Sequence, residues 1–262
     1  MHDFETLKFE IEQGVAKIVL NRPKAANCLN PTMCEELVEI AKLCDETPEI
    51  RAILLTGEGR FFCAGGDVAS MAADMEKVGR TVKTLADNLH TAISTFARMD
   101  APLIVAVNGV AAGAGFSLAA IGDIVISSEA ASFVMAYTKS GLSPDGSSSY
   151  FLPRLIGFRR TQELMLTNRT LTAPEALSWG LITEIVPPEA LMERAEAVAA
   201  SLAAGSKSAN AAVKKLLLVS FDNGLETQME LEGRQISASA SSPDGLEGIS
   251  AFVDKRAPNF TR

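Results

Sequence analysis

From Ala101 to Gly122 the chain runs without a charge, and the pattern changes twice inside that run. Leu103 to Val107 is rich in β-branched residues, the composition of a strand buried on both faces. Asn108-Gly109 breaks it, Gly113 and Gly115 flank Ala114, and Phe116 to Ala120 combines good helix formers with no proline. A strand, a glycine turn and a helix start leave backbone N–H groups unpaired, a setting that suits developing negative charge. A membrane span would read the same residues as one helix, but Pro102 and Asn108-Gly109 favour a turn.

Upstream, Leu7 to Ile11 alternates, Glu12-Gln13-Gly14 turns, and Val15 to Leu20 alternates less cleanly, predicting a hairpin. Asn30-Pro31 supplies the N-cap and first-turn proline of a helix that runs to about Cys44. Ala52 to Thr56 is the next buried strand, closed by Gly57-Glu58-Gly59. Phe61 to Asp67 is a second apolar run broken by glycines, followed by a helical stretch to about Met99. Ile124 to Ser127 is another strand, and Asp145 is placed to cap a helix reaching Ile156. From Arg159 onward the pattern is helical, apart from a short strand near Leu181 to Val186. Together these elements predict an α/β core over residues 1–200 and a helical region over 201–262.

Composition narrows the functions open to such a chain. At 262 residues with 47% hydrophobic positions and a mean hydropathy of +0.17, it can bury a large core. A net charge of −8 argues against nucleic acid or an anionic membrane as the main partner. The stretch Cys34 to Arg51, CEELVEIAKLCDETPEIR, is itself acidic and would repel a phosphate backbone. Cys28, Cys34, Cys44 and Cys63 have neither CxxC spacing nor nearby histidines, as expected of reduced core thiols rather than a disulfide frame or metal site. The opening MHDFETLKFEIEQG has neither a hydrophobic nor an Arg-rich leader, so the expected location is cytoplasmic.

Five segments resemble the crotonase (enoyl-CoA hydratase/isomerase) superfamily, in that family's order. They are NRPKAANCLN at 21–30, FFCAGGDV at 61–68, APLIVAVNGVAAGAG at 101–115, LPRLIGFRRTQELMLTNRTLTAPEALSWGLITEIV at 152–186 and FVDKRAPNF at 252–260. The resemblance implies an α/β fold, a crotonase-like ββα spiral with a helical C-terminal trimerisation region, assembled as a homotrimer or hexamer. It implies an acyl-CoA substrate, with coenzyme A entering as part of that substrate and no permanently bound cofactor or metal. The oxyanion hole would be the N–H groups of Gly66 and Ala114. Coenzyme A would lie along Lys24, Ala25 and Ala26 and along Ala64, Gly65, Asp67 and Val68, with Lys255 and Phe260 reaching its far end.

The two glutamates of family hydratases align with Ser117 and Tyr137 here, and neither is a carboxylate base. Asp145 is the remaining candidate. Its surroundings, SPDGSSSYFLPRLIG, are similar to those of enoyl-CoA isomerases and aryl-CoA dehalogenases. Isomerisation of a 3-enoyl to a 2-enoyl thioester needs one base, so Asp145 suffices for the leading reading. His90 lies where hydrolytic aryl-CoA dehalogenases resemble this chain with a general-base histidine, which makes an Asp145 and His90 hydrolase the second reading. Leu89 and Tyr137 stand where those enzymes carry tryptophans, and the sole tryptophan, Trp179, lies elsewhere. Hydration by other residues is the third reading, and a silent acyl-CoA-binding scaffold is the non-enzymatic one.

Overall fold

The computed structural model describes residues 3–261. The predicted hairpin is present as β1 (Leu7–Glu12) and β2 (Val15–Leu20), paired antiparallel in the register Leu7 to Leu20. Helix α1 (Pro31–Glu46) starts as its sequence dictates, with the Asn30 side chain accepting the Met33 N–H and Pro31 at the first position. β3 (Ala52–Gly57) is buried at every residue and leads into β4 (Phe61–Cys63), then α2 (Val68–Ala72) and α3 (Val78–Arg98). The uncharged run becomes β5 (Leu103–Val107), β6 (Val110–Ala112) and α4 (Ala114–Ala120). β7 (Ile124–Ser128), β8 (Ser132–Val134) and α5 (Ser148–Ile156) repeat that order a third time. The chain continues through α6 (Phe158–Thr167), β9 (Leu171–Thr172), α7 (Ala173–Ser178) and β10 (Glu184–Val186). It ends in α8 (Leu191–Ala204), α9 (Lys207–Val219), α10 (Leu225–Ser241) and α11 (Pro243–Val253).

Each of the three repeats contributes one strand to each of two sheets. The larger sheet has the order β1-β2-β3-β5-β7-β10, parallel except for the β1 edge. The smaller has the order β4-β6-β8-β9, with β4, β6 and β8 parallel to one another. This is the expected α/β spiral of ββα units. The small sheet is what periodicity does not reveal, because strands of two or three residues are too short to establish an alternation.

Two apolar clusters hold the sheets. The main one lies between the sheets, α1 and α3 and includes Leu37, Ile40, Phe62, Phe96, Phe116 and Phe133, with the Phe116 and Phe133 rings 5.4 Å apart. The other joins the opposite face of the large sheet, at Leu54, Ile104 and Ile126, to Leu191, Ala195 and Ala199 of α8. Residue 200 thus falls inside a helix that packs on the sheet, and the C-terminal helices that follow begin at α9.

α9 is tied back by Lys214. This buried ammonium donates to the carbonyls of Phe96 and Ala101 and pairs with Asp123 at 2.7 Å. Beyond it, α10 and α11 leave large apolar side chains exposed, among them Leu225, Ile236, Ile249 and Phe252. No helix of the described residues is long and apolar enough to cross a membrane.

Candidate active site

The residues just past the ends of β4, β6 and β8 converge. Ala64-Gly65-Gly66 follow Cys63, Gly113-Ala114 follow Ala112, and Ala136-Tyr137 lie beyond Val134. Carboxyl ends of neighbouring parallel strands are where open α/β sheets form ligand crevices. Gly65 has φ +98°, and a Cβ there would stand 2.9 Å from the Ala112 carbonyl oxygen, so only glycine allows the first two turns to meet. Between these turns and α3 lies a cavity of about 390 Å³, lined by Gly66, Ala114, Tyr137, Asp145, Leu85 and Leu89 among others.

Gly66 and Ala114 both line this cavity. Residues 26–29 pair with 64–67: Ala64 N–H donates to Ala26, Leu29 N–H to Gly65, and Asp67 N–H to Leu29. That ladder leaves the intervening Gly66 N–H facing away from it. Neither the Gly66 nor the Ala114 N–H donates to any other group among the described residues.

Asp145 enters from the loop before α5. Its main-chain carbonyl accepts from Ser117 Oγ at 2.9 Å, Ser148 Oγ at 2.8 Å and Ser148 N–H at 3.2 Å. Its carboxylate Oδ1 accepts the Tyr137 hydroxyl at 2.6 Å, and Oδ2 lies 3.6 Å from His90 Nε2. Burial, and then the neighbouring Asp145 charge, push the Tyr137 hydroxyl well above its ordinary pKa, so it stays protonated and donates. Asp145 does not cap α5, contrary to the expectation from sequence. The N-cap is Ser147, at φ +65° with no side-chain cap bond, and the Asp145 carboxylate turns to Tyr137 instead. Asp145 is the only carboxylate among the described residues that line the cavity.

A family model described as enoyl-CoA hydratase/isomerase matches residues 10–262. The chain belongs to the enoyl-CoA hydratase/isomerase family. A protein of Rhodobacter capsulatus named a probable enoyl-CoA hydratase is 39% identical to it over 259 residues, covering 98% of each chain. The 1,2-epoxyphenylacetyl-CoA isomerase of Escherichia coli is 38% identical over 261 residues, again covering 98% of each. The crystal structure of an enoyl-CoA hydratase from Bacillus anthracis superposes with a TM-score of 0.92 at 31% identity, covering 98% of this chain and 99% of that one. A 4-chlorobenzoyl coenzyme A dehalogenase of Arthrobacter is 31% identical over 250 residues, covering 95% of this chain and 91% of its own.

Within this enoyl-CoA hydratase/isomerase family member the other expected site residues divide. Ala64, Gly65 and the exposed Val68 line the cavity, whereas Lys24, Ala25 and Ala26 form a turn beside it, joined through the Ala64 to Ala26 bond. Asp67 is not part of the lining. Its carboxylate caps α2 at Ser70 and pairs with Arg22 at 2.9 Å. Burial alone would raise that carboxyl, but the Ser70 N–H and the Arg22 guanidinium outweigh it and hold the pKa below the usual value. Lys255 and Phe260 do not line the cavity either: Lys255 is exposed at φ +54°, and the Phe260 ring rests near Gly248.

His90 is absent from the lining and reaches the site through Gly146, whose N–H it accepts at Nε2 at 3.1 Å. Cys34 does line the cavity, but burial and then the Asp145 charge push its thiol up to about 12. Two organising residues have no role assigned from the sequence, although Asn27 lies within the segment NRPKAANCLN. Buried Asn27, at φ +54°, accepts the Arg22 N–H and donates to the carbonyls of Glu58, Phe61 and Phe62. Ser148 fixes the Asp145 carbonyl, and only the serine-rich composition of the loop hints at it.

Proposed function

We infer that this protein is an acyl-CoA-binding enzyme that isomerises 3-enoyl to 2-enoyl thioesters, with Asp145 as the proton shuttle. One observation carries the reading. A single carboxylate, held by a protonated tyrosine, lines an apolar cavity whose walls include Gly66 and Ala114, and neither of those N–H groups has an acceptor among the described residues. Asp145 Oδ2 takes a proton from C2 of the acyl chain, and the electron pair delocalises onto the thioester oxygen. The Gly66 and Ala114 N–H groups bind that oxyanion; removing one such donor typically costs about 3 kcal/mol of transition-state stabilisation. The proton then returns at C4, leaving the double bond conjugated with the thioester. Two-carboxylate hydration has no second acid to use here, since Ser117 and Tyr137 hold Asp145 instead.

Coenzyme A would run along Lys24 to Ala26 and Ala64 to Val68. The exposed apolar residues of α10 and α11 suit burial against further copies of the chain, in a trimer or hexamer that would bring Lys255 and Phe260 to a neighbour's coenzyme. The second reading, hydrolysis through attack by Asp145 and water activation by His90, is favoured by their 3.6 Å separation.

Incubation with a 3-enoyl-CoA, a 2-enoyl-CoA and a 4-halobenzoyl-CoA in D₂O, followed by mass spectrometry, tests these readings. Conversion of the 3-enoyl thioester that is lost in Asp145→Ala supports isomerisation. Halide or free CoA release that depends on both Asp145 and His90 supports the hydrolytic reading instead.

A further inference from the structure

The Asp145–Gly146 peptide is held at both ends. Ser117 and Ser148 secure its oxygen with three donors, and His90 Nε2 is the one acceptor of its N–H among the described residues. Gly146 has φ +61°, and a Cβ there would stand 2.8 Å from Ser117 Cβ, so the peptide is pressed against α4. A ring nitrogen that accepts an N–H carries no proton, which places the His90 proton on Nδ1. The same lone pair cannot take a proton from water while Gly146 occupies it.

We propose that His90 is a positioning residue for Asp145: its neutral Nε2 holds the Gly146 N–H, and protonation of the ring releases that peptide and turns the imidazolium onto the carboxylate. The proposal rests on the isomerase reading above. Without the acceptor, the peptide keeps its oxygen anchors but loses the contact that sets its rotation, and that rotation aims the carboxylate. With the ring protonated, Nε2–H faces Gly146 donor to donor, and the carboxylate Oδ2 at 3.6 Å becomes its natural partner.

The other charged groups on the elements around His90 are paired or, like Glu35 on α1, exposed. On α3 itself Asp87 pairs with Lys83, α2 carries no titratable residue, and Asp67 at its cap pairs with Arg22. On α1, Cys34 is a thiol kept neutral by burial, and Glu36 accepts from Glu5 and Thr6. On α9, Lys214 pairs with Asp123 and Lys215 with Asp100. Asp145, at 3.6 Å, is the carboxylate within ion-pair distance of His90 among the described residues.

The test combines 3-enoyl-CoA kinetics from about pH 5 to 9 with histidine-labelled NMR, on the parent, His90→Ala, His90→Gln and Asp145→Asn. His90→Ala should lower kcat about tenfold with KM within about twofold, because only the aim of the base is lost. Glutamine offers an oxygen to Gly146 and does not titrate. His90→Gln should therefore recover most of the lost rate and move the acid limb of kcat/KM to lower pH. The NMR spectrum of the parent should show the Nδ1–H tautomer at neutral pH, assigned by its absence from His90→Gln.

An Nε2–H tautomer, a His90→Gln variant as impaired as His90→Ala, or an unmoved acid limb would overturn the proposal. Asp145→Asn separates the two claims. If the parent does not convert the 3-enoyl thioester, the isomerase reading falls, and if Asp145→Asn isomerises like the parent, Asp145 is not the shuttle and has no aim for His90 to set; in both cases the tautomer still reports on the His90 to Gly146 contact.

Discussion

Tyr137 Oη and Asp145 Oδ1 stand 2.6 Å apart, and the direction of that bond is fixed. Burial and the adjacent negative charge keep the phenol protonated, so the tyrosine can only donate and the carboxylate can only accept. One carboxylate oxygen is occupied and the other is left for substrate. Tyr137→Phe should therefore lower kcat about 10- to 100-fold, the range expected for one hydrogen bond to a charged group, with a smaller change in KM. Steady-state kinetics on a 3-enoyl-CoA checks this, and an unchanged kcat would mean that the bond does not orient the base.

Two glycines near the site should answer alanine substitution differently. At Gly115 a Cβ would stand 2.2 Å from the Cys63 carbonyl oxygen, a backbone atom that cannot retreat. Gly115→Ala should lose about 2 to 3 kcal/mol of stability, read as a lower denaturant midpoint. At Gly66 the new Cβ meets only the Met71 methyl, 2.4 Å away at the tip of a flexible side chain. Gly66→Ala keeps the N–H that the site uses, so it should fold normally and stay active, which a 3-enoyl-CoA assay beside the denaturant midpoint checks.

Lys214 makes a prediction about assembly of the fold rather than chemistry. Its ammonium satisfies two carbonyls and Asp123 from a buried position. Lys214→Met removes the charge and leaves those acceptors behind, so it should destabilise by about 3 kcal/mol while leaving kcat of the folded enzyme in place. Chemical denaturation beside single-turnover kinetics separates the two effects.

The thiols predict an alkaline limit. Burial, the largest cause in each case, pushes Cys34, Cys44 and Cys63 up to about 12 from an ordinary 9.0. The unfolded chain therefore releases these protons first, and the stability they contribute is present below pH 9 and is lost between 9 and 12. At pH 10 each thiol should cost on the order of 1 kcal/mol. Urea midpoints at about pH 8 and pH 10 should converge in a Cys44→Ala variant more than in the parent.

How far the sequence reaches is seen in particular residues. The helix at Pro31 was legible because Asn30 and Pro31 are local signals, and the buried strands at Ala52, Leu103 and Ile124 because each is an unbroken apolar block. The glycine turns at Gly66 and Ala114 were legible for the same local reason. The bond from Tyr137 to Asp145 was not, since it depends on where β8 leaves the chain, and β8 is three residues long. Nor was the contact from His90 to Gly146, which spans 56 residues and joins a helix to a loop with no pattern of its own.

The candidate site stands on the weaker of the two sheets. β4, β6 and β8 have three residues each, whereas the large sheet carries strands of up to six backed by α8. Regions with few backbone bonds open at lower free energy than the body of a protein. On gentle heating, the small sheet would come apart as its own unit while the large one still holds. Catalysis would then vanish in a molecule that remains largely folded, and the slow-exchanging amides would be those of Ile53 to Leu55 and Ile104 to Val107 rather than those surrounding the substrate.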